Sequence, residues 1–231
     1  GTSSMAFEAI LFDCDGVLVD SEIIYVDVER EHLARIGLKY ELHEYMDRFQ
    51  GLGSTDFWAA LDADYQTLGK GPLPATFGPD LDAATQARID RELAEIKGIK
   101  QLLAAHEGPR AVASSSRLHR LTHKLQHTGL FPYFEPHIYS GEQVTNGKPA
   151  PDLFLFAADK LGVDPKAALV VEDSVNGVKA GLAAGMTVWG FVGGGHCHDG
   201  HAEQLLAAGA HRIVDSHDNL ATLLISESTA A

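Results

Sequence analysis

Along the chain, short runs of mostly consecutive apolar residues alternate with segments whose apolar positions recur every three to four residues. The runs are Phe7–Phe12, Arg110–Ala113, His137–Tyr139, Ala167–Val171, Thr187–Phe191 and His211–Val214. Apolar side chains at successive positions, rather than every second one, mark strands covered on both faces, as in a parallel sheet. The segments between them carry helix punctuation. After Pro151, residues Leu153, Phe154, Ala157, Ala158 and Leu161 form one apolar stripe, with Gly162 as the stop and Pro165 beyond it. Ser174 reads as an N-cap, followed by Val175, Val178 and Leu182 on one face and Gly185 as the stop. Strand–helix–strand alternation predicts an α/β, doubly wound (Rossmann-like) parallel sheet core.

Residues 20–94 break this rhythm. They read as helices near 20–36, 42–49, 54–68 and 81–96, with no strand. The expected organisation is a catalytic core of residues 1–19 and 95–231 with a helical cap of residues 20–94 inserted after the first strand. The insert holds seven Lys/Arg against fifteen Asp/Glu, a net of −8 within a chain total of −14. An acidic surface repels nucleic-acid backbones and anionic membranes, so neither is an expected partner. No apolar run approaches the ~20 residues of a membrane span. The opening Gly1–Met5 has no signal-peptide pattern and reads as an expression remnant ahead of a natural Met5. Two cysteines, Cys14 and Cys197, are too few for a disulfide framework and fit a reducing cytoplasm. A monomer is expected.

Candidate chemistry gathers at the predicted strand ends, where open α/β sheets bind ligands. The first strand runs into Asp13-Cys14-Asp15-Gly16, two carboxylates at spacing two before a sharp turn. The second ends in Ser114-Ser115-Ser116 before a helix containing Leu118 and Leu121; hydroxyls and free N–H groups at a helix start suit an anion. Lys148 stands in the loop Asn146-Gly147-Lys148-Pro149 as a compact positive charge for a phosphate. The fourth strand ends in Glu172-Asp173-Ser174, and adjacent carboxylates suit a hard, oxygen-preferring cation.

Taken in order, Asp13–Ser21, Ser114, Lys148–Asp152 and Glu172–Gly177 resemble the four motifs of the haloacid dehalogenase-like superfamily. The resemblance spans essentially the whole chain and is nearest the helical-cap subfamily of sugar-phosphate phosphatases and β-phosphoglucomutase. It implies that Asp13 is the nucleophile and Asp15 the general acid/base. It implies phosphate binding by Ser114, Ser115 and Lys148. It also implies Mg²⁺ bound by Asp13, Glu172 and Asp173 with the backbone carbonyl of Asp15. The implied activity is Mg²⁺-dependent hydrolysis of a small phosphorylated metabolite through an aspartyl-phosphate. The charges agree with that assignment. Asp13, Glu172 and Asp173 would repel a phosphate dianion, and Mg²⁺ with Lys148 offsets them. An Asp of ordinary pKa, ~3.9, is a poor acid at neutral pH, so Asp15 has to be raised or protonated as substrate binds.

Residue types narrow the reaction. The second acid, Asp15, favours phosphoryl chemistry over dehalogenation and over phosphonate cleavage. The mutases of the subfamily carry a His twelve residues after the nucleophile, where this chain has Tyr25. They also carry an Arg three residues after a cap Gly, where this chain has Ser54 after Gly51. Hydrolysis is therefore expected, with a phosphosugar mutase and a non-catalytic phosphometabolite sensor as the alternatives. In the cap, Arg48 and Lys70 are candidate substrate contacts, while Trp58 reads as packing. Cys14 is expected to point into the core. The stretch His196-Cys197-His198-Asp199-Gly200-His201 has zinc-like spacings but follows three glycines and has no distant partner pair. It reads as a flexible loop of ordinary histidines.

Overall fold

The computed structural model describes residues 6–50, 52, 54–197 and 199–230, the side chains of the last two aside. Gly1–Met5, Gly51 and His198, which enter the expectations above, lie outside the described residues. In chain order the elements are β1 (Ala9–Phe12), α1 (Glu22–Arg35), α2 (Leu42–Phe49), α3 (Ser54–Gln66), α4 (Phe77–Glu92), α5 (Ile99–Ala105) and β2 (Arg110–Ser114). There follow α6 (Leu118–His127), α7 (Phe131–Phe134), β3 (Ile138–Ser140), α8 (Asp152–Leu161), β4 (Ala168–Glu172), α9 (Val175–Ala183) and β5 (Thr187–Phe191). The chain closes with α10 (His201–Ala207), β6 (Arg212–Val214) and α11 (His217–Ala230). It divides into two compact units: the residues up to Asp20 with those from Leu93 onward, and Ser21–Glu92.

The first unit is built on a six-stranded, all-parallel sheet of order β3-β2-β1-β4-β5-β6. This is the doubly wound architecture read from the uninterrupted apolar runs. β1 and β4 lie side by side at its centre, with Leu11 opposite Val170 and Phe12 opposite Val171, and both strands are buried throughout. The core on one face gathers Leu11, Ala113, Val170 and Val188 against Leu153, Phe154 and Ala157 of α8 and Val178 of α9. Gly162 ends α8 at φ 69°, and Ser174 caps α9 by accepting the Gly177 N–H.

The face of α9 differs from the expected stripe. Val175 and Leu182 are only partly buried, and the sheet is met instead by Gly177, Val178, Ala180 and Gly181. Small residues let this helix approach closely. A Cβ at Gly177 would lie 1.8 Å from the Glu172 Cδ.

The second unit is wholly helical among its described residues, with α1 packed on α4. Edge-on aromatic contacts link Tyr40, Phe49, Phe57, Trp58 and Phe77, and the Tyr45 hydroxyl donates to the Glu29 carboxylate. α4 starts four residues before the expected Leu81, because Pro79 falls in its first turn, where a missing N–H costs nothing. Its expected last residues leave the helix. Leu93–Ile96 run back beside the end of the first motif, with the Asp20 N–H on the Ala94 carbonyl (2.9 Å) and the Ile96 N–H on Leu18 (2.9 Å). No helix among the described residues is long and apolar enough to cross a membrane.

Candidate active site

β1 and β4 are adjacent where the strand order reverses, which leaves a crevice at their carboxyl ends. The first strand delivers Asp13 there, its N–H bonded to the Val171 carbonyl at 3.1 Å. Alternation then turns Cys14 into the core, where it is fully buried; burial, with the Asp15 charge beside it, pushes the thiol upward. Gly16 turns the chain at φ 83°, so that Val17, Leu18 and Val19 all direct their N–H groups at the Cys14 carbonyl. Only glycine suits this position, since a Cβ there would lie 2.1 Å from the Asp173 Oδ2.

Lys148 is the hub of the site. Its Nζ lies 2.8 Å from Glu172 Oε2, 3.2 Å from Asp13 Oδ1 and 2.9 Å from the Ala113 carbonyl, which it donates to. It also stands 5.0 Å from the centre of the Phe154 ring. Burial alone would lower its pKa, but the Asp13 and Glu172 carboxylates outweigh this and hold it above the ordinary lysine range. Glu172 is completely buried. Its Oε1 accepts the Asp173 N–H at 3.1 Å and the Ser174 N–H and hydroxyl at 3.3 and 3.2 Å. Burial and the Asp13 charge push Glu172 upward, with the Lys148 ammonium opposing them.

Asp15 faces a different partner. Its Oδ1 lies 2.6 Å from the Nζ of Lys124, and its Oδ2 accepts the Ser116 hydroxyl at 2.8 Å. Lys124 in turn reaches Ser116 Oγ at 3.0 Å and is only 2% exposed. A buried ammonium against a carboxylate is a strong, charge-assisted contact. Asp173 is held by two histidines: His196 Nε2 is 2.9 Å from its Oδ2, and His201 Nε2 donates to its backbone carbonyl at 2.7 Å.

Carboxylate oxygens of Asp13, Glu172 and Asp173 lie within 4.8 Å of one another. All are hard oxygen donors, a set that fits Mg²⁺. The fold thus gathers Asp13, Lys148, Glu172 and Asp173. The serines behave differently from the expected helix cap. Arg117 is the N-cap of α6, three residues on, so the serines form a turn ahead of the helix. Ser114 Oγ is buried and accepts the Ser116 N–H at 3.1 Å, while Ser115 is exposed. Arg48 belongs to the helical unit, where its guanidinium is engaged by Asp64 at 3.0 Å; Lys70 is exposed between Gly69 and Gly71. Trp58 packs edge-on against Phe57 and Phe77 and is partly exposed.

Ser116 and Lys124 join the site without having been among its expected residues, and His196 and His201, expected to be ordinary loop histidines, contact Asp173. For Lys124 a signal existed: it stands among Leu118, Leu121 and Leu125, on the apolar stripe of an amphipathic helix, where an unpaired lysine is costly. His196, in the loop after β5, and His201, at the start of α10, are both buried, at 4% and 5% exposed.

A family model for haloacid dehalogenase-like hydrolases matches residues 7–185. The 6-phosphogluconate phosphatase of Escherichia coli is 32% identical over 200 residues, 86% of this chain and 86% of its own length. A phosphorylated carbohydrates phosphatase of Thermotoga maritima is 30% identical over 222 residues, 94% of this chain and 98% of its own. Among solved structures, a HAD family hydrolase from Deinococcus radiodurans with bound phosphate and sodium superposes with a TM-score of 0.83 at 37% identity, covering 97% of each chain.

Proposed function

The chain belongs to the haloacid dehalogenase-like hydrolases and is a phosphoric monoester hydrolase, and from that premise we propose that it removes phosphate from a small sugar, sugar-acid or polyol phosphate. The observation that carries the reading is the Lys148 ammonium spanning the Asp13 and Glu172 carboxylates at the mouth of the central strands. It leaves an oxygen nucleophile beside a fixed positive charge, the pairing that phosphoryl transfer needs. The names of the relatives from Escherichia coli and Thermotoga maritima support a phosphorylated carbohydrate as the substrate class.

In the proposed reaction an Asp13 oxygen bonds to phosphorus as the P–O bond to the alcohol breaks. The leaving oxygen takes a proton from Asp15. Water then attacks phosphorus, Asp15 accepts its proton, and the bond to Asp13 breaks to release inorganic phosphate. Lys124 and Ser116 fix the Asp15 carboxyl for both transfers. Lys148, Ser114 and Ser115 receive the phosphoryl oxygens. The carboxylates of Asp13, Glu172 and Asp173, with the Asp15 backbone carbonyl, would hold Mg²⁺, which supplies positive charge against the transferring group. Substrate choice is assigned to the helical unit as a cap, with Arg48 and Lys70 the basic residues to vary. The enzyme is read as a cytoplasmic monomer.

The test is phosphate release from a panel of phosphorylated sugars, sugar acids and polyols, with and without Mg²⁺, for wild type and Asp13→Asn. Turnover that needs Mg²⁺ and falls by about four orders of magnitude in the variant is the expected result. Turnover that survives in Asp13→Asn would remove the nucleophile assignment. Interconversion of hexose 1- and 6-phosphates with a bisphosphate primer, without release of phosphate, would identify a mutase.

A further inference from the structure

A second cluster of donor atoms lies next to the acidic one and plays no part in the reaction above. His196, Cys197 and His201 each offer one donor atom, all within 4.8 Å of one another. His196 Nε2 is 3.7 Å from Cys197 Sγ, and the two imidazoles meet edge to face at 5.8 Å. Both rings are buried.

The segment carrying these side chains is anchored. The Gly195 N–H donates to Asp20 Oδ1 at 3.0 Å, and the Cys197 N–H closes a turn on the Gly194 carbonyl at 3.1 Å. His201 is the first residue of α10 and is tied to Asp173. Gly16 backs His196 so closely that a Cβ there would lie 2.7 Å from its Cε1. The three donors are therefore brought together by the fold and not by chance encounter in a loose loop.

The two clusters differ in chemical hardness. Asp13, Glu172 and Asp173 offer only carboxylate oxygens, the preference of Mg²⁺. Two imidazole nitrogens and a sulfur select borderline and softer cations, Zn²⁺ and Co²⁺ before Mg²⁺. Asp173 supplies a further ingredient: its carbonyl accepts from His201 Nε2 and so orients that ring with Nδ1 as the ligating atom, as such partners do for metal-binding histidines, while its carboxylate lies 2.9 Å from His196 Nε2. Three protein ligands leave one tetrahedral position over.

We infer that His196, Cys197 and His201 form a transition-metal site for Zn²⁺ or a cation of the same class, separate from the acidic cluster. A cation there ties the loop after β5 to the first turn of α10 and, through Asp173, to the end of β4. Thiolate ligation releases a proton, so affinity rises with pH.

The test is a Co²⁺ titration of the full chain with Mg²⁺ in excess, read by absorption. The only other cysteine, Cys14, is sealed in the core, so a near-ultraviolet thiolate-to-cobalt band reports Cys197. The expected result is one equivalent bound, with that band and intense visible bands. Cys197→Ser should lose the near-ultraviolet band and bind at least about tenfold more weakly, whereas Asp13→Asn should keep both. A second measurement needs no variant: Zn²⁺ at micromolar excess should slow modification of Cys197 by a disulfide reagent at least about tenfold, and Mg²⁺ should not. The inference is overturned by absence of the band in folded wild type, by its survival in Cys197→Ser, by binding lost in Asp13→Asn instead, or by a modification rate that Zn²⁺ leaves unchanged.

Discussion

Replacing Glu29 by Gln should stabilise the helical unit at alkaline pH and do nothing in acid. Glu29 lies mostly buried on α1, accepting the Tyr45 hydroxyl. Burial raises its pKa from 4.5 to about 7, against the pull of the Tyr45 hydrogen bond. The folded value stands above the unfolded one, so below pH 4.5 the group is protonated in both states. Between 4.5 and 7 the unfolded chain releases a proton that the folded chain keeps, and stability declines through that window. The difference of 2.5 units at 1.36 kcal/mol each is about 3 kcal/mol above pH 7. Gln keeps an acceptor for Tyr45 and has no proton to lose. Glu29→Gln should therefore match wild type at pH 4 and exceed it by about 3 kcal/mol at pH 8. The chain has two tryptophans, so urea denaturation in a Trp189→Phe background reads the helical unit through Trp58. An increment of the same size at pH 4 and pH 8 would refute the argument, because it would arise from packing and not from ionisation.

The other unit should respond in the opposite sense. His217 is buried against Phe191 and donates to the Val17 carbonyl, and burial lowers it from 6.5 to about 4. The unfolded chain takes up a proton between those values that the folded chain refuses, so stability is lost as pH falls, by about 3 kcal/mol at pH 4. Denaturation followed at Trp189 in a Trp58→Phe background checks this, and a flat profile from pH 7 to 4.5 would count against it. Lys124→Met leaves the Asp15 carboxylate facing an apolar side chain; stability should fall by about 3 kcal/mol, and kcat by about a hundredfold, measured by denaturation and by phosphate release. Gly177→Ala brings a methyl 1.8 Å from the Glu172 Cδ. It should cost about 1–3 kcal/mol, with thermal melting as the check; an unchanged melting temperature would mean that α9 can slide away from β4.

The sheet was legible because burial on both faces writes itself into composition: Leu169–Val171 and Val188–Phe191 leave no polar alternation to misread. The ends of elements were harder. Leu93–Ile96 has helical spacing, but two backbone hydrogen bonds to Leu18 and Asp20, far away in sequence, take it out of the helix. Asp13, Lys148, Glu172 and Asp173 could be read from motifs placed at strand ends. Lys124 shows in the sequence only as a lysine on the apolar stripe of α6, without its partner, and the burial of the two histidines shows not at all, since their roles rest on long-range contacts with Asp15 and Asp173 that no local pattern encodes. The buried face of α9 is hidden for a related reason. Helical periodicity marks the large apolar residues as the contact, whereas close approach to Glu172 and the sheet demands the small ones.

The seam where Leu18–Asp20 runs beside Ala94–Ile96 has an architectural consequence. The chain leaves the sheet unit and returns to it at neighbouring points, stitched by backbone bonds that no side chain dictates. For the sheet, everything between those points is a loop whose ends are already joined, and each doubling of such a loop costs only about 0.6 kcal/mol of closure entropy. The seam is thus a socket. Helical inserts of other lengths and surfaces fit such a socket while β1, Asp13 and the register with β4 stay as they are, so that the insert and the sheet can change independently of each other.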